Sequence, residues 1–132
     1  MTLYLLDTNI LLRLTNPAHS SATTVEHALA KLFRLGDEVH ATAQSIIEFW
    51  AVATRPTTVN GLGWDTTKAA TETQLILSRF PYLEDTAAVF SNWLNLVTSH
   101  GTQGKEVHDA RLVAVMQTHG ITHILSFNKS DI

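Results

Sequence analysis

Three acidic residues stand in apolar surroundings where a carboxylate calls for an explanation. Asp7 directly follows the run Leu3-Tyr4-Leu5-Leu6; Glu48 lies between Ile47 and Phe49-Trp50; Asp109, in Val107-His108-Asp109-Ala110, precedes a stretch free of acids through Met116. Each has an ordinary reading. Asp7 or Thr8 caps a helix, Glu48 pairs with an arginine or extends its head into water, and Asp109 is favoured by the dipole of a helix start. As a set they offer chemistry. Carboxylates held together raise one another's pKa and are costly unless a cation neutralises them. The sequence contains no cysteine, so oxygen donors would hold that cation, and Mg²⁺ or Mn²⁺ is the expected choice. Such a centre suits phosphodiester hydrolysis, because the metal acidifies a water and balances charge building on the phosphate.

The elements that must position these acids follow from periodicity and breakers. Leu3 to Leu6 reads as a buried parallel strand that leaves the sheet at Asp7. Ile10 to Leu14 reads as a short helix ended by Asn16-Pro17, and Ser20 or Ser21 as the cap of a longer helix carrying Val25, Ala28, Leu29, Leu32 and Phe33 up to Gly36. Glu38 to Ala43 is the expected second strand. The stripe Ile46, Ile47, Trp50, Ala51 and Thr54 makes a helix that Pro56 stops. Arg55 to Trp64 is a loop, and Asp65 caps a helix to about Arg79. A strand near Phe80 to Leu83, a helix from Glu84 to Val97 ended near Gly101, a helix from Val107 to Met116 ended by Gly120, and a last buried strand from Ile124 to Phe127 complete the chain. Strands alternating with helices predict an α/β/α sandwich around a mostly parallel sheet. Ligands in such sheets bind beyond the carboxyl ends of the strands, which selects Asp7 and the segment Asn128 to Asp131.

Composition narrows the class. At 132 residues, 45% hydrophobic and 16% charged, the chain suits one folded domain over residues 1–132 and not a disordered one. A net charge of −3 argues against gripping nucleic acid by overall charge. No apolar run reaches a membrane span and no basic leader precedes Asp7, so the expectation is a cytoplasmic protein.

The motifs taken together resemble one family. Leu-Leu-Asp-Thr-Asn-Ile (5 to 10), Ser-Ile-Ile-Glu-Phe (45 to 49), Thr-Arg-Pro (54 to 56), Asn-Gly-Leu-Gly (60 to 63), His-Asp-Ala-Arg-Leu (108 to 112) and Leu-Ser-Phe-Asn-Lys-Ser-Asp (125 to 131) closely resemble a PIN-domain ribonuclease, in particular the VapC-type toxins of bacterial toxin–antitoxin pairs. The resemblance runs over essentially the whole chain. It implies an endoribonuclease whose metal ligands are Asp7, Glu48 and Asp109, with Thr8 and Asn9 as supporting polar groups. It also implies a fourth site residue, Asn128 or Asp131; Asn128 is favoured because it follows the strand directly and adds no charge. Ile132 stands where the family usually has Phe. Arg13, Arg55, Arg111 and Lys129 lie near these elements and are candidates to hold RNA phosphates or neutralise acids; His108 contacts substrate or only orients its helix. The implied partners are RNA and a cognate antitoxin, and apolar helix stripes in excess of what a small sandwich needs lead to the expectation of a second copy of the chain as well. Two other functions use the same residues, a catalytically silent RNA- or protein-binding module and a metal-dependent phosphatase for small molecules. His119 and His123, four apart, are separated by Gly120 and make no metal pair. Asn60 to Gly63 lacks the Lys-Ser/Thr of a phosphate loop and reads as a turn. Trp50, Phe90 and Trp93 fall on apolar stripes and, with Trp64, are expected to pack in the core or an interface.

Overall fold

A computed structural model describes residues 1–127. The elements run β1 (Leu3–Leu6), α1 (Thr8–Leu14), α2 (Ala22–Arg34), β2 (Glu38–Thr42), α3 (Ala43–Thr54), a single 3₁₀ turn (Thr57–Val59), α4 (Thr66–Arg79), β3 (Tyr82–Leu83), α5 (Ala87–His100), α6 (Glu106–His119) and β4 (His123–Leu125). The strands form one four-stranded sheet in the order β3-β2-β1-β4, each neighbouring pair parallel.

Strand alternation decides the layers. Side chains of a strand point alternately to opposite faces, so consecutive Leu5 and Leu6, both fully buried, enter different cores. Leu6, with Val39 and Ala41 of β2, meets Ile10, Leu11, Val25, Leu29, Phe49, Ala53, Ile76 and Phe80 on the side of α1 to α4. Leu5 meets Val89, Ala114, Val115 and Ile121 on the side of α5 and α6. This is the α/β/α sandwich expected from the pattern, with β1 buried from both sides.

Local chemistry sets most boundaries. The Asp65 carboxylate accepts the Lys68 N–H at 2.8 Å to start α4, and Gly120 at φ 69° ends α6. The loop after α3 folds back onto it: the N–H groups of Leu62 and Trp64 donate to Val52 and Ala53, and Trp64 meets Phe49 edge to face at 5.9 Å. A Cβ at Gly61 would overlap the Arg55 carbonyl, so this turn requires glycine.

Several expectations change. Ser21 occupies the cap position of α2 but its hydroxyl makes no capping bond. Helix α5 begins at Ala87 and not Glu84, because the Glu84 carbonyl accepts from the His119 ring and Asp85 pairs with Arg111. The last strand is only partly buried: among the described residues β1 is its one neighbour in the sheet, His123 and Ile124 are exposed, and Leu125 and Phe127 pack against the core. Phe90 is 63% exposed, so it is not a core residue. Its neighbour Trp93 is half-buried and donates its indole N–H to the Val107 carbonyl at 2.8 Å, tying α5 to the start of α6. His119 and His123 turn to different partners, His123 lying against Tyr4 at 5.2 Å. No helix among the described residues is long and apolar enough to cross a membrane.

Candidate active site

At the carboxyl edge of β1, two of the three acidic residues, Asp7 and Glu48, are joined through Thr8. Asp7, the first of the candidate site residues, is the cap of α1. Its Oδ1 accepts the Thr8 N–H at 2.8 Å, its Oδ2 accepts the Ser126 hydroxyl at 2.8 Å, and its own N–H donates to the Leu125 carbonyl. The capping and chemical readings of Asp7 are therefore compatible: the bonds that start the helix also aim the carboxylate.

Glu48 reaches this edge because the start of α3 is pinned to the end of β1. The buried Thr42 hydroxyl accepts the Ser45 N–H and donates to the Ser45 hydroxyl, which donates to the Leu6 carbonyl at 2.7 Å. Every polar group in this buried chain has a partner, as burial demands. One turn further along α3, Glu48 is exposed to solvent, and its Oε2 accepts the Thr8 hydroxyl at 2.9 Å. Thr8 thus joins Asp7 through its backbone and Glu48 through its side chain.

Asp109 lies exposed in the first turn of α6. The residue before it is tied to α3: Gln44 Nε2 donates to the His108 carbonyl at 2.8 Å and to Glu48 Oε1 at 3.2 Å. Among the described residues no group of three Asp, Glu or His side chains surrounds a single point. The linked pair is Asp7 and Glu48, joined through Thr8. Mg²⁺ uses one or two carboxylates and fills its remaining positions with water and phosphate oxygens. A donor set of carboxylates and hydroxyls, open to solvent and free of sulfur, fits such a hard cation.

The other candidates divide. Asn9 is bonded to the segment after β4. Its amide donates to the Ser126 hydroxyl at 3.2 Å and its carbonyl accepts the Phe127 N–H at 3.3 Å, so it fastens the chain leaving β4 and holds the serine that aims Asp7. The Arg13 guanidinium lies over the Phe127 ring at 5.6 Å, with its Nε buried and without a hydrogen-bond partner among the described residues. Arg111 is committed to Asp85, at 2.7 Å, and to Gln44 Oε1, at 3.1 Å, so its charge is already neutralised within the chain. The His108 side chain is exposed and its carbonyl is the part in use. Asn128, Lys129 and Asp131 lie outside the described residues.

Sequence reasoning passed over Gln44, Asp85 and Ser126. Gln44 carried a signal, standing four residues before Glu48 on the same helix face. Asp85 carried none, its partner being 26 residues away, and Ser126, although inside the last motif, carried no sign of its partner 119 residues away.

Comparison with known proteins agrees with this architecture. The family model described as PIN domain matches residues 4–130. No curated protein sequence matches the chain. Among solved structures, VapBC2 from Rickettsia felis, bound to a DNA fragment from its promoter, superposes with a TM-score of 0.67 at 14% identity, over 96% of this chain and 88% of that one. A toxin–antitoxin complex from Klebsiella pneumoniae gives 0.64 at 18% identity, over 97% and 88%. VapC20 of Mycobacterium tuberculosis, a toxin that cleaves the sarcin–ricin loop, gives 0.61 at 18% identity, over 96% and 90%. With a family match that spans nearly its whole length and carries Asp7, Glu48 and Asp109 within it, the chain belongs to the PIN domain family.

Proposed function

We propose that this PIN domain is a metal-dependent endoribonuclease and the toxin of a toxin–antitoxin pair. The observation that carries the reading is the bridged pair Asp7–Thr8–Glu48 at the carboxyl edge of a parallel sheet, where α/β proteins bind their ligands. Similarity of fold to solved VapBC and VapC toxins supports the same reading. Asp7, Glu48 and Asp109 are the residues that would hold Mg²⁺ or Mn²⁺, and the cation would supply Lewis acidity at the scissile phosphate and acidify the attacking water.

The chain's own residues supply orientation. Ser126 and the Thr8 N–H hold Asp7 from both of its oxygens, and Thr8 and Gln44 hold Glu48 in the same way. Carboxylates fixed in this manner lose less rotamer freedom on forming a complex, which favours a productive geometry over a loose one. Outside the described residues, Asn128 remains the proposed fourth site residue, with Asp131 as the alternative, and Lys129 a proposed phosphate contact. Water displaces the 3′-oxygen of the scissile bond, leaving 5′-phosphate and 3′-hydroxyl ends. The partners proposed are RNA as substrate, a cognate antitoxin and a second copy of the chain.

The test is cleavage of total bacterial RNA by the purified protein with Mg²⁺, Mn²⁺ or EDTA, beside D7N prepared identically. Discrete fragments with 5′-phosphate ends, absent with EDTA and absent from D7N, are expected. Cleavage that persists in EDTA and in D7N, or ends bearing 2′,3′-cyclic phosphate, would overturn the mechanism. No cleavage, together with no binding of Mn²⁺, would favour a binding module.

A further inference from the structure

The Gln44 side chain, near the start of α3, bonds both Glu48 of its own helix and residues of α6, and its partners leave it a single orientation. The Arg111 guanidinium can only donate, and it reaches Gln44 Oε1 at 3.1 Å. The Glu48 carboxylate and the His108 carbonyl can only accept, and both take Nε2 protons, at 3.2 and 2.8 Å. Reversing the amide would set two acceptors against an oxygen and two donors against each other. Arg111 is itself held by Asp85 at 2.7 Å, so the connection before α5 also bears on the amide.

From this arrangement we propose that Gln44 is a positioning residue, which sets the spacing between Glu48 and Asp109 by clamping the start of α6 to α3. The proposal rests on the reading of the acidic edge as the reactive site. The alternatives at this position are poor. A carboxylate would still accept from Arg111 but would repel Glu48 and the His108 carbonyl. A lysine would serve the two acceptors and repel Arg111. Only an amide offers an acceptor on one side and two donors on the other. Asparagine is one methylene shorter and loses the reach across to α6. Asp109 has no side-chain bond of its own among the described residues, so its place relative to Glu48 depends on how firmly the preceding residue is held.

The decisive comparison is wild type, Q44E and Q44M. Both substitutions suit the second residue of a helix, and Glu there is favoured by the dipole, so both variants are expected to fold. Amide hydrogen exchange over His108 to Leu112 is measured by mass spectrometry, Mn²⁺ binding by the loss of the free-ion paramagnetic signal, and cleavage as separate kcat and KM on an RNA whose cut site has been mapped. Expected in both variants are faster exchange confined to the start of α6, Mn²⁺ affinity lower by about tenfold, and kcat lower by about tenfold at unchanged KM. The Q44E result discriminates most sharply. If position 44 acted only through local charge, an added carboxylate would tighten Mn²⁺ binding, whereas loss of the clamp loosens it. Unchanged exchange in both variants, or tighter Mn²⁺ binding with unchanged kcat in Q44E, would overturn the proposal. A wild-type protein that neither binds Mn²⁺ nor cleaves RNA overturns the nuclease reading instead, and the exchange measurement alone then decides the clamp.

Discussion

Among the described residues the Thr8 hydroxyl is the only side-chain group of α1 that bonds Glu48, and T8V removes it with little else. Valine matches threonine in shape and in helix propensity, and the backbone N–H that bonds Asp7 is retained. The lost bond, 2.9 Å to a carboxylate oxygen, belongs to a class worth about 1.5–3 kcal/mol when water is excluded. Glu48 is exposed in the free protein, so water takes the place of the hydroxyl and the cost in folding stability should be only about 0.5–1 kcal/mol. If RNA binds over this edge as proposed and displaces that water, the full value applies, equivalent to a rate lower by roughly 10- to 100-fold. The assay is single-turnover cleavage of an RNA with a mapped cut site, beside guanidinium unfolding of the same preparations. T8S, which keeps the hydroxyl, should restore most of the rate. A T8V rate within about twofold of wild type would refute the argument that Thr8 orients a reacting carboxylate. A loss of stability as large as the loss of rate would refute the argument from solvent exposure.

Two further outcomes test the scaffold and its surface. Phe49 is fully buried one residue beyond Glu48 and packs edge to face on Trp64; F49A should cost about 3–5 kcal/mol, measured by guanidinium unfolding, a large part of the roughly 5–15 kcal/mol of a typical domain. A cost below about 1 kcal/mol would mean that the loop after α3 collapses into the space. Ile47 is 65%, Leu77 37% and Tyr82 45% exposed around a groove of about 460 Å³, and Phe90 and Leu94 are exposed on α5. So much uncovered apolar surface suits self-association, and light scattering at micromolar concentration should report twice the monomer mass; a strictly monomeric protein would remove the second copy from the proposed partners.

The readable part of the fold was carried by short-range signals. Leu3 to Leu6 ending at Asp7, the Asp65 cap, and the turns at Gly36 and Gly120 each depend on residues within a few positions of one another, and those elements lie close to where the pattern puts them. Departures came where a distant partner competes. Glu84 and Asp85 look like the start of a helix, yet they are bonded to His119 and Arg111, 35 and 26 residues away, and the helix starts later. The apolar run at Ile124 reads as buried, but its strand has one neighbour among the described residues and Ile124 is exposed. Arg111 and Asn9 have the right chemistry for a substrate contact and are already taken up by partners within the fold.

By itself the sequence determined the alternation of strands and helices, the burial of the Leu3 to Leu6 strand, and the positions of Asp7 at the end of that strand, Glu48 within the helix after the second strand and Asp109 early in a later helix. These are consequences of backbone periodicity and of where acids interrupt apolar runs. Only the tertiary structure decided which of them are joined. Thr8 reaches Glu48 across 40 residues of sequence, Ser126 reaches Asp7 across 119, and Gln44 reaches the His108 carbonyl across 64. Bonds of that kind depend on distances of a few ångströms between side chains on different elements. No local pattern encodes such distances; they are set when β1 is covered from both faces and the helices settle against it.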